Sequence, residues 1–156
     1  KVGMADLNIC HSPDAITTLG LGSCVGVALY DKNTKTAGLV HVMLPDSTKV
    51  RQNQNRAKFA DTGIDYLIEL LEKEGAKKSS LTAKIAGGAQ MFAFSSSNDM
   101  LRVGERNVEA VKDKLKKLGI RILAEDTGLN YGRTVEFYPE TGDFIIKSVG
   151  KPVKTI

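Results

Sequence analysis

Two apolar runs dominate the first third of the chain. Val25 to Asp31 and Thr36 to Leu44 are rich in Val and Leu, and each has the length of a buried strand. Lys32-Asn33-Thr34-Lys35 between them is short and polar, so the pair reads as a β-hairpin. Upstream, Val2 to Ile9 reads as a strand and His11-Ser12-Pro13-Asp14 as a turn. Ala15 to Leu19 is extended, and Gly20-Leu21-Gly22 bends the chain into the hairpin. The period then changes. Ala57, Ala60, Ile64, Leu67 and Leu71, with Ile68 beside them, recur at helical spacing, and Gly75 stops the helix. A second helix carries Val108, Val111, Leu115 and Leu118 on one face, with Asn107 as its candidate N-cap and Gly119 as its stop.

Strands surround these helices. Leu81 to Ala86 reads as a strand running into Gly87-Gly88. Ile120 to Ala124, Thr134 to Tyr138 and Phe144 to Val149 follow the second helix. Pro139 to Asp143 makes a hairpin turn between the last two. The order ββββ-α-β-α-βββ is not a regular βα alternation. It predicts an α+β fold, a mixed β-sandwich with two main flanking helices. No repeat or linker interrupts residues 1–156, which are expected to form one domain. Polar residues at 46–56 and 93–103 read as surface loops.

Composition changes this picture little. The chain is 42% hydrophobic and 26% charged, ordinary for a globular protein. Its net charge of +4 is spread among acids, with the densest bases at Lys112, Lys114, Lys116 and Lys117. A solvated helix face explains that cluster. With aromatic residues at 6% and no Trp, nucleic-acid binding by base stacking is not expected. The longest apolar stretch, Leu39 to Leu44, contains His41 and is too short to span a bilayer. Leu21-Gly22-Ser23-Cys24 resembles a lipoprotein cleavage box. However, Pro13 and Asp14 stand where its apolar segment should be, and Val25 to Leu29 continue apolar where a polar tether should follow. The expected location is the cytoplasm.

Chemistry concentrates on Cys24 and His41. A thiol needs a nearby base to become a strong nucleophile, and the chain has only two histidines. If Asp31 pairs with Thr36 across the hairpin, Gly26 falls opposite His41 and Cys24 opposite Met43. Side-chain alternation then places Cys24, Gly26, His41 and Met43 on one face. Cys24 and His41 become diagonal neighbours about 7–8 Å apart at the backbone, and Gly26 leaves the imidazole room. A slip of one residue would separate them. On spacing alone, a buried Cys and a packed core His are the commoner occurrence.

Other constellations are weaker. Cys10, His11, Cys24 and His41 make a zinc set by count, but no pair has zinc-finger spacing. Gly20, Gly22 and Gly26 miss the dinucleotide fingerprint, and Leu21 and Val25 take the glycine positions of a G-x-S-x-G elbow around Ser23. Gly87-Gly88-Ala89 could cradle an anion, but a tight turn is its simpler use.

Four segments together resemble the CheD family. They are Thr18-Leu19-Gly20-Leu21-Gly22-Ser23-Cys24, Gly38 to Pro45, Lys84 to Phe92, and Gly104-Glu105-Arg106-Asn107. The likeness runs from about Met4 to about Ser148. It implies a fold related to the catalytic domain of the cytotoxic necrotising factor toxins. It also implies deamidation of glutamines on chemoreceptor cytoplasmic helices, with hydrolysis of receptor glutamate methyl esters in some members. Cys24, His41 and Thr18 take the family's catalytic positions, with Gly22 and Ser23 as support for the oxyanion loop. No cofactor is implied, and the implied partner is the response-regulator phosphatase CheC. A competing expectation is an adaptor that binds CheC without turnover.

Overall fold

Hairpin chemistry at 32–35 sets the centre of the molecule. In the computed structural model, which describes residues 1–49, 54–90 and 102–156, β3 (Val25–Asp31) and β4 (Thr36–Val42) pair antiparallel from Asp31↔Thr36 to Val25↔Val42. This is the register expected from the sequence, with Gly26 opposite His41. Asp31 caps the turn, its carboxylate accepting from Asn33 N–H at 2.9 Å and from Lys77 N–H at 3.1 Å.

The remaining strands are β1 (Leu7–His11), β2 (Ile16–Leu21), β5 (Thr82–Gly87), β6 (Arg121–Thr127), β7 (Arg133–Tyr138), β8 (Asp143–Lys147) and β9 (Lys154–Thr155). They build two sheets. One is five-stranded and mixed, in the order β1-β4-β3-β5-β6, with β5 and β6 parallel. The other is four-stranded and antiparallel, in the order β2-β7-β8-β9. Helices α1 (Ala60–Lys73) and α2 (Val103–Lys117) cover the outer face of the five-stranded sheet.

The period-2 alternation of β3 and β4 divides the interior into two cores. Val25, Val27, Leu29, Val40 and Val42 face the helices and meet Ile64, Leu67, Leu71, Val111 and Leu115. Ala28, Ala37 and Leu39 face the second sheet and meet Ile16, Leu21, Val135, Phe137, Phe144 and Ile146. The fold is therefore α+β in three layers: helices, five-stranded sheet, four-stranded sheet. Burying a side chain such as Leu67 or Phe137 contributes about 1.5–3 kcal/mol each, so the two cores supply most of the driving force.

Several boundaries differ from the sequence reading. β1 starts at Leu7, because Ala5 turns the chain at positive φ and Val2 bridges instead to Thr18. Ala57 belongs to a short 3-10 turn before α1. β4 ends at Val42, because Met43 N–H and Leu44 N–H both donate to Lys58 O and so leave the sheet. β9 is an added two-residue strand held by reciprocal bonds between Ile156 and Phe144. Asn107 is not an N-cap. α2 begins four residues earlier, at Val103, and Asn107 lies on its buried stripe with Gly104, Val111 and Leu115. The expected loop at 93–103 falls mostly outside the described residues, as do 50–53 of the loop at 46–56. Within that first loop, Ser47 N–H and Oγ bind the Asp61 carboxylate at the start of α1.

Candidate functional site

The second sheet brings Thr18 beneath β4. Thr18 and His41 are both fully buried. Thr18 Oγ1 lies 2.7 Å from His41 Nδ1 and 2.7 Å from Val2 O. Hydrogen-bond accounting fixes the tautomer. A threonine hydroxyl has one proton, and a carbonyl oxygen can only accept it. Thr18 therefore donates to Val2 O and accepts from His41 Nδ1–H. The lone pair of the neutral ring is left on Nε2, which has no hydrogen-bond partner among the described residues. The main chain holds this arrangement: Val2 N–H donates to Thr17 O at 2.7 Å, and His41 N–H to Asp6 O at 2.9 Å.

Cys24 sits one residue before β3, in a bend, and is 6% exposed. Its side chain belongs to the core between the sheets, on the face that His41 occupies. The expected Cys24–Met43 pairing does not form, since the ladder stops at Val25↔Val42. Three successive carbonyls of the Cys24 bend are instead held from outside. Ala89 N–H donates to Gly22 O at 2.8 Å, Asn107 Nδ2 to Ser23 O at 2.9 Å, and Gly88 N–H to Cys24 O at 2.8 Å. Of the three amides, that of Gly22 donates to Gly20 O at 3.1 Å. Neither Ser23 N–H nor Cys24 N–H donates to a backbone acceptor among the described residues.

The Gly87-Gly88-Ala89 segment serves as the clamp on this bend rather than as an anion cradle. A Cβ on Gly87 would stand 2.3 Å from Cys24 O, and its φ of +113° is itself glycine's. On the other side, a Cβ on Gly104 would stand 2.4 Å from Ala89 O, so α2 presses directly on this segment. Arg133 supports it from below. The guanidinium is buried, bonded to Asp126 at 3.2 Å, to Gly128 O at 3.1 Å and to Gly87 O at 3.5 Å. Neither Arg133 nor Asn107 signals these roles in the sequence. A charged residue opening a strand reads as surface, and a polar residue ahead of an apolar periodicity reads as a cap.

Burial sets the protonation states. It pushes the Cys24 thiol above its ordinary value, offset in part by the residue's own N–H, and it pulls the His41 imidazole below its ordinary value. Both shifts favour the neutral forms, thiol for Cys24 and imidazole for His41. Such a pair can perform acyl transfer by moving the thiol proton to Nε2 as the sulfur attacks.

The other sequence candidates are dispersed. Cys10 and His11 lie on β1, and His11 is engaged with Thr36 and Glu74. No metal-binding cluster of His, Cys, Asp and Glu forms among the described residues. Lys112 and Lys114 of the basic cluster pair with Glu125 and Asp65, at 2.9 and 2.8 Å. No helix among the described residues is long and apolar enough to cross a membrane.

Comparison with known proteins places the chain in a family. Residues 43–148 match the sequence model of the family described as CheD chemotactic sensory transduction. The chain belongs to the CheD family. The matched segment begins just after His41, but similarity to individual members covers the remainder. A probable chemoreceptor glutamine deamidase CheD of Lachnoclostridium phytofermentans is 71% identical over 156 residues, covering 100% of this chain and 97% of the relative. The chemoreceptor glutamine deamidase CheD of Halalkalibacterium halodurans is 59% identical, covering 100% and 97%. That of Bacillus subtilis is 52% identical, covering 100% and 95%.

Proposed function

We propose that this protein is a chemoreceptor glutamine deamidase in which Cys24 is the nucleophile, His41 the base and Thr18 the residue that orients the base. The observation that carries this reading is the Thr18–His41 hydrogen bond of 2.7 Å, which bares Nε2 on the face shared with Cys24. The names of its relatives supply the substrate class: glutamine side chains of chemoreceptors.

The reaction then follows from the site's own groups. His41 Nε2 takes the Cys24 proton as the sulfur attacks the carboxamide carbon. The oxygen of the tetrahedral intermediate is held by the N–H groups of Ser23 and Cys24, which have no backbone acceptor among the described residues. The His41 imidazolium gives its proton to the departing ammonia and leaves a thioester. A water molecule, deprotonated by His41, hydrolyses the thioester to glutamate and frees the thiol. Proton and charge balance close without a cofactor. The same route hydrolyses a glutamate methyl ester, with methanol leaving in place of ammonia.

Residues 1–156 act in this reading as one deamidase domain, with the three-layer architecture related to the catalytic domain of the cytotoxic necrotising factor toxins. The substrate lies on receptor cytoplasmic helices, so the protein works in the cytoplasm. The phosphatase CheC is its regulatory partner, as family membership suggests.

The test is peptide mass spectrometry of a purified receptor cytoplasmic fragment. Conversion of glutamine to glutamate by the wild type and none by Cys24→Ala is expected. Equal patterns from both proteins would overturn the enzymatic reading and leave an adaptor that only binds.

A further inference from the structure

The antiparallel ladder of β3 and β4 ends one rung before it would tie Cys24 to Met43. His41 is held within the ladder opposite Gly26, but Cys24 lies beyond its last rung, and no backbone hydrogen bond joins Cys24 to Met43 among the described residues. One side chain closes the gap. Asn107 Nδ2 donates to Ser23 O and to Met43 O, both at 2.9 Å. Ser23 precedes the nucleophile, and Met43 lies two residues beyond the base. These acceptors are 84 and 64 residues away from Asn107 in sequence, so the bridge is wholly tertiary.

The chemistry of the bridge is specific. It requires one group with two donor hydrogens facing two carbonyl oxygens. A carboxamide NH2 meets this. The flipped amide would set its oxygen against both carbonyls, so the orientation is fixed. Asn107 is fully buried, and its Oδ1 has no partner among the described residues. The backbone carrying it is equally fixed, since Gly104 one turn earlier is pressed against Gly88 and Ala89.

We propose that Asn107 is a positioning residue for the deamidation. By bridging Ser23 O and Met43 O it replaces the missing rung, sets the separation of Cys24 from His41, and keeps the Ser23 and Cys24 amides turned toward the substrate oxygen. The inference rests on the deamidase reading. It adds to that reading a residue that touches neither substrate nor reacting atoms and acts through the two segments that do.

The test compares wild type, Cys24→Ala, Asn107→Leu and Val111→Ala in ammonia release from a receptor cytoplasmic fragment, with melting temperatures measured alongside. Asn107→Leu keeps the branched shape and the number of heavy atoms and removes both donors. Val111→Ala disturbs the same helix on the core side only, and supplies a destabilised control. With Asn107→Leu, kcat is expected to fall about 10²-fold while KM stays within about twofold, since misplacing a catalytic pair slows chemistry more than binding. Val111→Ala is expected to lose melting temperature and retain kcat. An unchanged kcat in Asn107→Leu, or an equal loss in Val111→Ala, would overturn the proposal. Absence of release by the wild type would instead overturn the deamidase reading. Should Asn107→Leu not fold, the wild type decides. Both Asn107 side-chain amide protons should be protected from solvent exchange by NMR, and rapid exchange would contradict the bridge.

Discussion

Replacing Thr18 by Val removes one hydroxyl and almost nothing else, since the two side chains have nearly the same shape. Two hydrogen bonds of 2.7 Å disappear, one to Val2 O and one from His41 Nδ1–H, and both partners remain in a fully buried place. Each orphaned group costs about 1–3 kcal/mol, so a stability loss of about 2–4 kcal/mol is expected, allowing for apolar compensation by the new methyl. The effect on rate comes from the tautomer. Without an acceptor at Nδ1, nothing holds the proton there, and a proton on Nε2 disables the base. In acyl-transfer triads the orienting residue is worth up to about 10⁴ in kcat through the tautomer it enforces. A neutral hydroxyl supports the imidazolium less than a carboxylate does, so a loss of about 10²–10³ in kcat is expected here. Thr18 is fully buried and cannot touch substrate, so KM should hardly move. Thr18→Ser keeps the hydroxyl and should retain kcat within about tenfold of wild type, since it gives up packing but not the tautomer. Ammonia release, with thermal unfolding as the companion measurement, checks all of this. If Thr18→Val kept wild-type kcat while His41→Ala lost it, the reasoning about Nδ1 would be refuted.

Three further outcomes are expected. Alkylation of Cys24 by iodoacetamide should accelerate with pH through an inflection above the ordinary thiol value of 9.0, because burial favours the thiol. A rate that is already maximal at neutral pH would instead indicate a thiolate–imidazolium pair. Gly87→Ala should destabilise the fold by about 2–5 kcal/mol and abolish activity, since its Cβ meets Cys24 O at 2.3 Å in a backbone conformation that alanine strains to adopt; urea denaturation measures the loss. Because the His41 imidazole is held below its ordinary value of 6.5, the unfolded chain binds the extra proton first, and stability should fall as pH drops through that value. Calorimetry at several pH values should show this slope in the wild type and a shallower one in His41→Phe.

Local patterns in the sequence carried the parts of the site that lie on one hairpin. The apolar runs on either side of Lys32-Asn33-Thr34-Lys35 fix both the turn and the register, and with them the placement of Gly26 against His41. The helix stops at Gly75 and Gly119 were legible for the same reason: both adopt positive φ just beyond the helix end. What escaped reading is tertiary. Val2 contributes a carbonyl, which has no side-chain signature. Arg133 is charged but buried, with Asp126 and the carbonyls of Gly87 and Gly128 engaging its Nε and Nη1. Asn107 looks like a cap from its neighbours in sequence. It is instead a helix-interior residue whose partners belong to the Cys24 bend and to the end of β4. The Cys24–Met43 pairing failed because Lys58 O competes for the Met43 amide, which strand alternation alone does not reveal.

Ammonia release from a purified chemoreceptor cytoplasmic fragment addresses the central step most directly. Wild type should release ammonia in step with the appearance of glutamate, and Cys24→Ala and His41→Ala should release none. Release by Cys24→Ala at the wild-type rate would contradict Cys24 as the nucleophile.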